Sequence, residues 1–270
     1  MQRLNISELD RLLHIPNPKD ETIFGVIGRM DVLLDLFKKD KRYDELVPFL
    51  KTYYFVTKAA AERYIQKRHS FVNIREYETL DIYFASLYFK ALHAYLTEGV
   101  YATPWKTYFD YCHTKGGIPF LQMILGINAH INADLYTALT DLHYTQEKDF
   151  FTVNDILKEV IPEVMNFMIF SEFDIFSAGS LVMKKFFASQ FHTVIGKWRT
   201  QTWENAMYRK HERFTAIQNE RIYLNIAQQT EQIGSQLIHD FESITDLPIL
   251  PELIDALHGP MVADLLGKHT

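Results

Sequence analysis

The chain has 270 residues, 47% of them hydrophobic and 23% charged, with a net charge of -6 and a pI near 6.0. That is ordinary globular composition. The acidic balance argues against a nucleic-acid binder, which carries a basic face, and against an anchor for anionic membranes. The single cysteine, Cys112, excludes an intramolecular disulfide and a cysteine-rich zinc site. The opening residues Met1 to Glu8 lack the charged-then-apolar pattern of a signal peptide, and no apolar run approaches a membrane span. These features predict a soluble protein of the reducing cytoplasm.

Glycine is scarce, alternating β-branched runs are nearly absent, and helical periodicity runs through the chain. A short helix is predicted after Ser7. Asn17-Pro18 and Asp20 open a second helix that reaches Lys39, with Pro18 in its first turn. The run Lys38 to Arg42 reads as a solvated turn. Long helices follow over about 44–68, with Pro48 in the opening turns, and 76–97, which stops at Gly99. Pro104 begins a shorter helix to His113. Gly116-Gly117 breaks the chain, and Pro119 opens a helix to about His143.

Thr152 with Asp155 marks a capped start for a helix to Phe170. Phe173 to Ser177 reads as a bend, and Ser177 to Ser180 as a turn and cap. Two long helices are expected over about 179–209 and 212–241, and a short one between Pro248 and Gly259. There is no repeat, low-complexity segment or linker. The prediction is one all-α domain over 1–270, a multi-helix bundle around a buried central helix.

That central helix holds the most informative segment, Gly126 to Leu135. Asn128, His130, Asn132 and Asp134 occupy every second position of an apolar stretch. Polar groups in a helical core need partners. At ~100° per residue, His130, Asp134, Thr137 and Asp141 fall on one stripe. The flanking stripes are mainly apolar, so the His130 stripe faces a neighbouring helix or a cavity.

His and Asp four apart can chelate one divalent cation, with Asp81 as the third ligand from another helix. Asp81 sits in Glu78 to Ala85, an apolar helix where an unpaired carboxylate is costly. The same three residues could instead perform acid–base chemistry, with Asp134 orienting the imidazole. A structural brace is the third reading. The expectation carried forward is that Asp81 and His130 line one solvent-open cavity with Asp134 beside them. Elsewhere, Trp198-Arg199 with Trp203, Glu204 and Arg209 lies on one long helix; a guanidinium beside aromatics could hold an anionic ligand, but a surface ion-pair stripe is the favoured reading. No nucleophile elbow, phosphate loop or dinucleotide fingerprint is present.

The segment Leu125 to Leu135, followed by Ala138-Leu139, resembles the hallmark of a bacterial all-helical family, a domain of unknown function. Tyr54 to Thr57, Leu80-Asp81, Phe84-Ala85, Tyr88-Phe89, Ala91-Leu92, Trp105, and Trp203 with Ala206 are similar to it as well. The resemblance implies one α-helical domain and a shared role for Asn128, His130, Asn132 and Asp134. It implies no reaction, substrate or cofactor.

Two functions from different classes follow. The first is a hydrolase-like enzyme acting on a small, partly apolar molecule. His130, Asp134 and Asp81 would form its catalytic or metal site, and Asn128 and Asn132 would position substrate or tie helices together. The second is a non-catalytic helical module that binds a lipophilic ligand or a protein partner, which the 20 Phe, 15 Tyr and 3 Trp would suit. A pocket in which His130 and Asp81 converge favours the first.

Overall fold

The structure, a computed structural model, describes residues 6–114, 117–170, 181–211 and 215–245. Among these residues there are helices and turns and no strand. The bend and cap expected over 173–180 and the C-terminal helix between Pro248 and Gly259 lie outside the described residues.

Helix α1, Ile6–Leu13, buries Leu9, Leu12 and Leu13. Asn17 and Pro18 do not open the next long helix; they form a separate single turn, Pro18–Asp20. Glu21 is extended, and Thr22 caps helix α2, Ile23–Lys38, by accepting from the Gly25 N–H at 3.0 Å. Helix α3 is Val47–Gln66, with Pro48 in its first turn. Asn73 caps helix α4, Ile74–Glu98, which ends at Gly99 in the left-handed region (φ 65°). The fully buried Asp149 fixes the approach to α4 by accepting from the N–H groups of Val72 and Asn73 at 2.6 and 2.7 Å.

Helix α5 is Lys106–His113, after a turn that carries Trp105. Pro119 opens helix α6, Pro119–Ala129, whose residues from Phe120 onward are all buried. A wide turn, His130–Asp134, joins it without a break to helix α7, Leu135–Asp141. Helix α8 is Glu147–Phe170. It begins earlier than Thr152 suggested, because the Thr152 hydroxyl bonds back to Lys148 O inside the helix instead of capping it. Helices α9, Leu181–His211, and α10, Ala216–Thr245, complete the described chain.

One connected apolar core runs from Leu9 to Leu237, with α6 packed on α3, α5 and α10. The close approach of α6 to α3 depends on Gly126. A Cβ there would stand 2.4 Å from Phe49 Cγ and 2.8 Å from Phe49 Cβ. Gly126→Ala is therefore expected to lower unfolding free energy by about 1–3 kcal/mol through overpacking. Gly28→Ala, exposed on α2 with open space around the added Cβ, is expected to raise it by about 0.5–1 kcal/mol. Urea melts of the two variants check both signs.

Candidate functional site

The wide turn is a π turn, in which the Leu135 N–H reaches back five residues to His130 O. Such a turn holds one residue more than an α turn and pushes backbone carbonyls sideways. Thr202 on α9 meets one of them, donating its hydroxyl to Ile131 O at 3.2 Å. The alternating polar side chains sort into two i, i+4 pairs. Asn132 Nδ2 donates to Asn128 Oδ1 at 2.8 Å, and His130 Nδ1 meets Asp134 Oδ2 at 2.9 Å.

The two pairs have different surroundings. Asn128 Nδ2 donates to Thr230 O at 2.8 Å, which ties the turn to α10. Neither Asn128 nor Asn132 lines the cavity described below. The His130–Asp134 pair is buried among aromatic rings. Trp105 Nε1 donates to Asp134 Oδ1 at 3.2 Å, so both carboxyl oxygens are engaged. Phe84 stacks flat on the imidazole, 3.6 Å between centroids at 8°, and Tyr53 stands edge-on at 4.5 Å. Burial pushes the Asp134 carboxyl up and the His130 imidazole down, and Arg199 adds to the depression of the imidazole. The pair is thereby favoured without net charge.

In that state Nδ1 shares the carboxyl proton and Nε2 carries its own. Removal of one proton leaves a carboxylate facing Nδ1–H and a free lone pair on Nε2. The pair can therefore give or take a proton through Nε2. Nε2 is buried and has no hydrogen-bond partner.

His130 lines a cavity of about 90 Å³ between α3, α4, α8, α9 and the π turn. Its walls are mostly apolar, from Phe49, Val56, Ile127, Leu157 and Ile195. Asp81 lines the same cavity, and so do Arg199, Tyr64 and Tyr77. Asp81 Oδ2 accepts from the Tyr64 hydroxyl at 3.0 Å. Burial pushes the Asp81 carboxyl up to about 6, against the pull of Arg199 and the tyrosine hydroxyls. Arg199 donates from Nε to Asn154 Oδ1 at 2.7 Å and from Nη2 to the Tyr77 hydroxyl at 3.1 Å.

Asp81 and His130 thus line one cavity, and Asp134 stands behind the imidazole, outside the lining. As a metal site the trio of His130, Asp134 and Asp81 does not converge on one point with its ligand atoms free. Nδ1 and both Asp134 oxygens are committed to hydrogen bonds, and among the described residues no three His, Cys, Asp or Glu side chains converge to hold one cation. Arg199 corrects the surface-stripe reading of α9, because it is 4% exposed and flanked by the buried Trp198 and Trp203. Its signal was in the sequence: Ile195, Arg199, Thr202 and Ala206 recur at core spacing. Tyr77, four residues before Asp81, was legible in the same way. Thr137 and Asp141 leave the His130 stripe, since the extra residue shifts the phase: Thr137 bonds Ala133 O, and Asp141 accepts from Tyr83.

These features define an all-helical protein with a His–Asp pair set against a small aromatic cavity. The model of DUF5995, a family of unknown function, matches residues 23–240, and the chain belongs to that family. No curated protein and no solved structure matches it. Among the described residues, no helix is long and apolar enough to cross a membrane.

Two stability measurements follow from the site. Asp134→Ala orphans both Trp105 Nε1–H and His130 Nδ1 and is expected to cost about 2–4 kcal/mol; a variant melting with the wild type would show the pair to be idle. Asp81 has the opposite character. Its carboxyl titrates near 3.8 when unfolded and about 6 when folded. Between those values the folded state binds more protons, so stability from this group is lost as pH rises from about 4 to about 6. Asp81→Asn removes that loss. Its melting temperature is expected to gain on the wild type through that window and to keep the gain above it; a pH-independent difference would show an ordinary carboxyl.

Proposed function

We propose that the protein is an enzyme that hydrolyses a small, partly apolar molecule held in this cavity, with His130 Nε2 as the proton-transfer atom. The observation that carries the reading is that nitrogen: buried and without a partner, on a residue that lines a cavity which also presents a carboxyl group. A buried polar atom is seldom left unsatisfied without a ligand, a water or a task. In the proposed mechanism Asp134 holds the imidazole by Nδ1, and Trp105 and Phe84 hold Asp134 and the ring in place. Once the pair has lost one proton, so that Nδ1–H faces the Asp134 carboxylate and Nε2 bears a lone pair, His130 takes a proton from water as it attacks and returns it to the leaving group. Asp81, which lines the same cavity, supplies the second protonatable group. Asn128 and Asn132 act at one remove, by fixing the turn against α10.

The cavity is smaller than the ~150 Å³ that accommodates benzene in an engineered core, which restricts the substrate to a few heavy atoms beyond the reacting bond. Short-chain esters and amides, with and without a terminal carboxylate, form the test panel, followed by NMR. The expected result is turnover that falls about 10²–10⁴-fold in His130→Gln, with the melting temperature checked in parallel. Binding of panel members with no turnover, in wild type and variant alike, would overturn the enzyme reading in favour of a ligand-binding helical module.

A further inference from the structure

Arg199 is the charged group that the proton-transfer scheme leaves without a role. Its guanidinium is buried, and its hydrogen-bond partners, Asn154 and Tyr77, are both neutral. Its open face lies over the Phe150 ring at 4.9 Å. Among the described residues no carboxylate stands within ion-pair distance of it. A buried cation is costly unless an anion meets it directly, and Arg199 forms part of the cavity wall.

We infer that Arg199 is an anion anchor, and that the ligand of this cavity is a small monocarboxylate or a substrate bearing one carboxylate. The inference rests on the reading of the cavity as a small-molecule site and names the class of molecule that fills it. The planar guanidinium matches a carboxylate in shape and charge. A phosphate dianion would need more than one cation, and among the described residues Arg199 is the one fixed cation in the lining. The apolar walls take the short carbon chain, and His130 Nε2 meets the second polar group of the ligand.

Asp81 makes the binding depend on protons. It lines the same cavity, and two carboxylates beside one guanidinium cannot both stay ionised in apolar surroundings. Ligand binding therefore draws one proton from solvent onto Asp81. The groups that face Asp81 are Tyr53 and Tyr64 on α3, Tyr77 and Glu78 on α4, Tyr144 ahead of α8, Arg199 on α9 and His130 across the cavity. Burial holds the tyrosines and the imidazole neutral. Glu78 lies outside the lining and accepts from the Ile23 N–H at 3.2 Å. Asp81 is the group left to change its proton count.

The test is calorimetric titration of the full chain with acetate, butanoate and pentanoate and with the matching amides, from pH 5.5 to pH 8. At least one carboxylate is expected to bind about 10-fold or more tighter than its amide. Its Kd should rise by up to about 10-fold per pH unit above the Asp81 titration, with about one proton taken up per ligand in buffers of different ionisation enthalpy. Asp81→Asn should abolish the pH dependence while keeping the affinity, and Arg199→Gln should weaken binding about 10-fold or more. Amides binding as well as acids, no carboxylate binding at millimolar concentration, or undiminished binding by a folded Arg199→Gln would each overturn the anchor. If Arg199→Gln does not fold, the acid–amide comparison on the wild type decides. His130-dependent turnover with no preference for carboxylates would sink the anchor and leave the enzyme reading standing; carboxylate binding without turnover would do the reverse.

Discussion

The hydrogen bond between His130 Nδ1 and Asp134 Oδ2 is the interaction around which the rest of the molecule is arranged. Two ionisable groups in an aromatic core are tolerable only if each satisfies the other and neither is left charged alone. The surrounding features serve that condition. Trp105 occupies the second carboxyl oxygen, Phe84 covers one face of the ring, and Thr202 quiets a carbonyl that the π turn turns outward. Gly126 lets Phe49 and α3 close over the same region. The core is built to hold a polar pair in a fixed orientation, and the atom of that pair left without a hydrogen-bond partner is Nε2.

The other polar groups of the cavity follow a different rule. There, charge is spread along a chain of hydroxyls instead of being cancelled in one contact. Arg199 reaches Tyr77, and Asp81 accepts from Tyr64, with the rings packed edge to face. Each tyrosine brings a polar tip on an apolar body, so the chain crosses the core at little cost in packing. The result is a cavity lined both by the imidazole of the buried His–Asp pair and by a soft pair of charges, Arg199 and the titratable Asp81.

Much of this was legible in the sequence, and the reasons for the rest are physical. Helix periodicity gave the all-α class and the central position of the segment after Pro119. His130 and Asp134 were visible because acids and imidazoles rarely occupy positions flanked by apolar stripes, and Asp81 for the same reason. The π turn was not visible, since an extra residue in one turn leaves no mark on composition; only the alternation of Asn128, His130, Asn132 and Asp134 hints at it. Arg199 was read as surface because arginine usually is. Caps misled where two capping residues lay close together, as with Asn17 and Thr22, or where a threonine bonded back inside its helix, as Thr152 does.

The flat stacking of Phe84 on His130 at 3.6 Å has a consequence of its own. Protons held over the face of an aromatic ring are magnetically shielded by its circulating electrons, so the carbon-bound imidazole hydrogens of His130 resonate upfield of those of an unstacked imidazole. The ring cannot turn without separating from Phe84 and breaking its bond to Asp134. Anything that enters the cavity and engages Nε2 must either leave that shielding intact or lift the ring from its partner. The molecule thus carries an internal magnetic marker that distinguishes a ligand seated against a fixed imidazole from one that displaces it.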